Sequence, residues 1–249
     1  MDRTSTLDRI IDGDKNKELK KVLVAWRCTF ETLNTAIQEG YDGILVHEPT
    51  YFLHADEVES LTALPDDSPR KITAARKQLL IQENDLVVIR IHDSWDPRDE
   101  IGVAASWAKS LGLNNLVFKS QPMDCECRYD IAPTTAGAFL EIVKAAVKGY
   151  QIPEPCLFGS PEQTISRVGL GAGCIANVEV FIKMGCDIAI VCNDGLWYWQ
   201  DITFALDRGF PVIQVSHAAA EEAGIQALAV WVQNTFGIES TYIQEKACK

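Results

Sequence analysis

The chain has four histidines, His47, His54, His92 and His217, and three of them come at the end of short apolar runs. His47 and Glu48 end "GILVHE", His92 follows "DLVVIRI" with Asp96 four residues on, and His217 follows "PVIQVS" with Glu221 four residues on. Imidazole and carboxylate without thiolate form a donor set suited to zinc, manganese, iron, nickel or cobalt. Three such pairs exceed the needs of one tetrahedral ion. Carboxylates bridge, so the pattern reads as two divalent ions roughly 3.5–4 Å apart. Taken singly, each histidine also reads as a hydrogen-bonded group at a strand end. His54 has no strand-end position and reads as a loop residue. A helix beginning near Ala218 would put His217 and Glu221 one turn apart on one face.

Those residues need strands to carry them. Apolar runs "KKVLVAW", "DGILVH", "DLVVIRIH", "NNLVFK", "SRVGLG", "DIAIVC" and "PVIQVSH" alternate with helical patterns, many of which stop at glycine. Ser68 and Pro69 read as an N-cap and first helical residue. The alternation predicts an α/β fold with largely parallel sheet, and the near-continuous apolar strands predict burial on both faces. In parallel sheets ligands bind beyond the carboxyl ends of strands, where these histidines fall.

A weak repeat is present. "TLNTAIQEGYDGILVHEP" (32–49) matches "NVEVFIKMGCDIAIVCND" (177–194) through G-x-D-x-x-[IL]-V, at 40–46 and 185–191. Any αβ unit has some of this character. The sharper reading is a duplicated α/β subdomain with mostly parallel or mixed sheets and the metal site between the halves. The Pro/Gly-rich stretch 148–163 reads as a linker, giving halves 1–147 and 164–249 within one composite domain.

Composition narrows the function classes. The formal charge is −12, a poor match to nucleic acid, whose non-specific affinity comes from neutralising phosphates. No apolar run reaches the roughly 20 residues of a membrane span, and the N-terminus has no apolar signal region, so a cytoplasmic protein is expected. The eight cysteines then read as thiols, several as small core hydrophobes. The pair in "DCECRYD" has no second pair at finger spacing. "VGLGAGCIAN" (168–177) is part of a dinucleotide fingerprint, but Cys174 stands where the last glycine belongs, so a tight strand–helix turn is the better reading.

In its motifs the chain resembles the NIF-three-like family of dinuclear metal-centre proteins, some of whose members are called GTP cyclohydrolase I type 2 homologues. "ILVHEP" is similar to the family's apolar strand into His-His-Pro, "HDSWDPRDEIGVAASWAKSLGL" to His-Thr-Asn-x-Asp and its helix, and "SHAAAEEAGIQALAVWVQ" to the closing Gly-His-x-x-x-Glu. The resemblance implies metal ligands at His47, Asp96, His217 and Glu221, with Glu48 in place of a second histidine. It also implies a ring-like homohexamer. His92 would be a general base or a partner behind a ligand. The chain departs from the pattern at "NDGLWYWQD", where Tyr198 and Trp199 replace a histidine pair, and at Trp26-Arg27, where an early aspartate is usual.

The function expected is a metal-dependent hydrolase of a nucleotide-like small molecule. The alternative is a metal-binding regulatory or assembly protein without turnover. The aromatics of "GLWYWQD" would line a pocket or an interface, and the closing helix packs the core.

Overall fold

The computed structural model describes residues 6–52, 61–120, 126–173, 177–196 and 198–246. His54, Cys125, Cys174 and Trp197 lie outside the described residues. The fold is mixed α/β, with two sheets, and the chain divides by contacts into two compact units. The first comprises residues 1–95 and 225–245, the second residues 96–224 and 246–249. Stretch 148–163 contributes a strand to the second unit's sheet, and neither unit is continuous along the chain. Among the described residues no helix is long and apolar enough to cross a membrane.

The first unit holds β1 (Arg9–Asp12), β2 (Lys21–Ala25), α1 (Phe30–Gln38), β3 (Gly43–Val46), α2 (Pro69–Glu83) and β4 (Val87–Arg90). Its sheet runs β1-β4-β3-β2-β11, where β11 is Glu239–Ile243. All neighbours are parallel except β1 with β4. Ser68 does precede α2, with Pro69 as its first residue. Leu23, Ile44, Val46 and Val88 meet Leu33, Ala36, Ala74 and Ile81 of the helices in one core. Fully burying each large aliphatic side chain contributes about 1.5–3 kcal/mol.

The second unit holds α3 (Val103–Ser110), β5 (Leu116–Lys119), β6 (Glu126–Thr135), α4 (Ala136–Ala146), β7 (Cys156–Phe158), β8 (Thr164–Gly171), α5 (Val178–Lys183), β9 (Ile188–Cys192), α6 (Tyr198–Asp207) and β10 (Val212–Val215). Its sheet runs β5-β6-β8-β9-β10-β7. Period-2 alternation covers both faces. Ile188, Ile190, Cys192, Ile213 and Val215 face one core with Trp107 and Phe139, while Ala189, Val191 and Val212 face another with Phe181 and Ala205. Helix α7 (His217–Phe236) starts in this unit and ends in the first.

Both sheets contain the same four-strand arrangement. β1-β4-β3-β2 and β7-β10-β9-β8 each have an antiparallel first pair followed by two parallel pairs. Small devices repeat too. Asp42 Oδ2 accepts the amides of Lys20 and Lys21 at 2.8 Å each, and Asp187 Oδ2 accepts those of Ser166 and Arg167 at 3.0 Å each. Gly13 and Gly159, each just after the antiparallel edge strand, have φ of +94° and +116°. A Cβ at Gly13 would meet the Leu86 carbonyl oxygen at 2.3 Å, and one at Gly159 would meet Pro211 Cα at 3.0 Å. Asp42 and Asp187 are the aspartates of the G-x-D-x-x-[IL]-V repeat.

Gly169, in the incomplete fingerprint, is a packing glycine: a Cβ there would come within 2.5 Å of the Phe181 ring. Strands β1, β6, β7 and β11 have no strand-like signal in the apolar pattern. Three are short or on sheet edges, and β6 carries Pro133 in a largely exposed second half.

Candidate metal centre

In the first unit the donors stand where parallel strands end. Strand β3 is buried along its whole length, which brings His47 and Glu48 to its carboxyl end. Their amides both donate to the Trp26 carbonyl, at 3.0 and 2.7 Å, so the chain curls over the end of β2. The buried Arg90 donates from Nε to the His47 carbonyl at 3.0 Å, and its Nη2 lies 3.9 Å from Glu48 Oε2. His47 Nδ1 is 2.9 Å from the Ile91 carbonyl oxygen. A carbonyl only accepts, so that nitrogen carries the proton and Nε2 carries the lone pair of the neutral ring.

His92 follows β4, and its ring stacks on His47 with centroids 4.4 Å apart and planes 8° apart. Its Nδ1 is 2.9 Å from Asp93 Oδ1, and Asp93 Oδ2 accepts the Leu7 amide at 2.8 Å. Asp8 accepts the amides of His92 and Ser94, strapping the strand end down. Burial opposes the charge on Asp93, but the Leu7 amide and the His92 ring hold its carboxyl below the usual carboxylate range. Donor atoms of His47, Glu48 and His92 all lie within 4.8 Å of one another. Asp96 is half-buried in the turn after β4 and is counted with the second unit.

In the second unit His217 opens α7, one residue earlier than the sequence suggests, directly after β10. Its amide donates to Asn193 Oδ1 at 2.8 Å. Its Nδ1 is 2.8 Å from Asp194 Oδ2 and its Nε2 is 2.9 Å from Glu221 Oε1. The i, i+4 spacing therefore does aim imidazole and carboxylate at one point. Burial opposes a charge on His217, yet the Glu221 carboxylate and the bonds to Asp194 and Glu221 prevail and raise its pKa to about 12. The His217 ring in turn holds the Asp194 carboxyl below its usual range.

The residues present suit a cation. A buried imidazole held between two carboxylates is an environment for positive charge, and a metal ion competes with the proton for Nε2. Asp194 behind His217 and Asp93 behind His92 are carboxylates on the outer ring nitrogen, the arrangement that fixes tautomer and ring orientation in metal sites. Gly173, at the end of β8 with φ +74°, keeps space open: a Cβ there would sit 3.5 Å from Glu221 Oε1 and 3.9 Å from His217 Nε2.

Of the expected site residues, the structure brings His47, Glu48 and His92 into one group and binds His217 to Glu221. Asp93, Asp194, Asn193 and Gly173 were not picked out from sequence as parts of the site. Asp93 had the signal of following His92, and Asn193-Asp194 form the polar tip of the second repeat. Trp199 is exposed on α6. Cys127 packs in a core cluster, and Cys28, Cys127, Cys156, Cys186 and Cys192 are thiols.

A family profile described as Duf34/NIF3 (NGG1p interacting factor 3) matches residues 10–248. A Clostridium perfringens protein named GTP cyclohydrolase 1 type 2 homolog is 21% identical over 243 residues, which is 95% of this chain and 87% of that protein. A Haemophilus influenzae protein of the same name is 26% identical over 228 residues, 89% of this chain and 83% of its own. A crystal structure of a Staphylococcus aureus hypothetical protein superposes with a TM-score of 0.76 at 20% identity, covering 98% of this chain and 92% of the other. That likeness concerns the fold.

Proposed function

The chain belongs to the Duf34/NIF3 family, and we propose that it binds two divalent metal ions and hydrolyses a nucleotide-like small molecule. The ligands in this reading are His47, Glu48, Asp96, His217 and Glu221. The single observation that carries it is the buried His217–Glu221 pair, 2.9 Å apart, with Asp194 behind the ring and Gly173 leaving the space open. The names of the relatives support a nucleotide as the substrate class. When bound, divalent ions supply Lewis acidity, polarising the bond under attack and acidifying water. The chain's own residues fix the rest. Asp194 and the Ile91 carbonyl set the ring tautomers of His217 and His47, and Arg90 anchors the His47 backbone. A ring-like homohexamer is the assembly that goes with this reading, checked by light scattering.

The test is hydrolysis of a panel of nucleotides, GTP included, by metal-loaded protein purified without a histidine tag. Turnover that falls at least about 100-fold in Glu221→Gln is the expected result. The family description, an interacting factor, favours a second reading: a metal-binding assembly protein. Metal-loaded protein that turns over nothing, but loses its oligomeric state on metal removal, would decide for that second reading.

A further inference from the structure

We infer that His92 is itself a metal donor, completing with His47 and Glu48 a set of two imidazoles and one carboxylate within the first unit. The inference rests on the metal-binding reading above and adds to it: the end of β4 supplies His92 as a further donor.

Four observations carry it. The donor atoms of His47, Glu48 and His92 lie within 4.8 Å of one another. Both rings have their Nδ1 engaged by an oxygen, Ile91's carbonyl for His47 and Asp93's carboxylate for His92, which leaves Nε2 of each ring as the ligating atom. Asp93 is anchored by the Leu7 amide, and the His92 amide by Asp8, so the imidazole hangs from a fixed backbone. A general base would be expected to face its substrate; His92 instead lies flat against the ring of an expected ligand.

The geometry also defines what coordination requires. Donors on one tetrahedral ion at about 2.1 Å stand about 3.4 Å apart. Two parallel rings cannot both aim in-plane lone pairs at a single ion. Coordination therefore tilts the Nε2 edge of the His92 ring toward His47 about its Asp93 hydrogen bond and draws the donors together by up to about 1.4 Å. Two imidazoles with one carboxylate select Fe²⁺, Co²⁺ or Zn²⁺ over Mg²⁺ or Ca²⁺.

The experiment uses full-length protein stripped of metal and carrying Glu221→Gln, which weakens the second donor set with a near-isosteric side chain. Co²⁺ is titrated and followed by visible absorption, and Cu²⁺ substitution with pulsed EPR counts coupled imidazoles. The expected result is one Co²⁺ bound per chain through two imidazoles. Adding His92→Ala weakens that Co²⁺ at least about 100-fold and leaves one coupled imidazole. A circular dichroism melt within a few degrees of the parent confirms that each variant is folded, and His92→Gln replaces any that is not. Co²⁺ affinity and imidazole count unchanged by His92→Ala would overturn the inference. Wild-type protein that takes up no Co²⁺ would remove the metal-binding reading itself, and this inference with it.

Discussion

Asp42 and Asp187 occupy matching places in the two units, and each ties down two consecutive amides leading along a neighbouring parallel strand. The strand ends beyond them are not alike. In the first unit β3 ends in His47-Glu48 and β4 leads into His92, three donors with their rings stacked. In the second, β9 ends in Asn193-Asp194, which hold His217 by its amide and ring, and the ring in turn holds Glu221. The duplicated part is the scaffold that fixes strand order and register. The tips are where the halves diverged, because a residue beyond a strand end alters chemistry without disturbing the core.

The largest expected effect probes the scaffold. Gly13→Ala places a Cβ against a backbone oxygen in a left-handed conformation, whereas Gly159→Ala makes a looser contact. Gly13→Ala should cost about 3 kcal/mol and Gly159→Ala about 1–2 kcal/mol in urea unfolding. Equal costs would mean that the two glycines are equally confined. The next effect probes the tips. Asp194→Asn should weaken metal binding 10–100-fold, and Asp93→Asn should act similarly on its own unit, read by competition with a coloured chelator. A change in one variant alone would show that only that half holds metal.

The smallest effect concerns the two aspartates of the repeat. Asp42→Asn and Asp187→Asn should each cost about 1–2 kcal/mol near neutral pH. Burial opposes the charge in both. The amides of Lys20 and Lys21 for Asp42, and Arg167 with the Ser166 amide for Asp187, still hold the folded carboxyls below the ordinary value. With the folded pKa below the unfolded one, near 3.9, their stabilisation is present above that pH and fades as pH falls through the folded value. The wild type should therefore lose stability on acidification below about pH 4, and each Asn variant should lose less. An unchanged acid profile in both would contradict the matched roles.

The sequence disclosed the α/β class, the repeat and the strand-end placement of His47, His92 and His217, because buried parallel strands write near-continuous apolar runs that stop where chemistry begins. It concealed antiparallel strands: β1 and β7 are too short to show a period, and β6 mixes polar residues with a proline. Asp93 and Asp194 were hidden because their part is to hold a histidine across a turn, which spacing alone does not show. His92 was legible as a site residue. Its stacking on His47 depends on the β3–β4 register, which pairs Val46 with Arg90.

The most direct measurement is metal content per chain, by elemental analysis of protein purified without a histidine tag. The account predicts two divalent ions per chain, with fewer in His47→Ala and in Glu221→Ala. Protein that carries no metal, or whose metal content is unchanged from wild type in both variants, would contradict it.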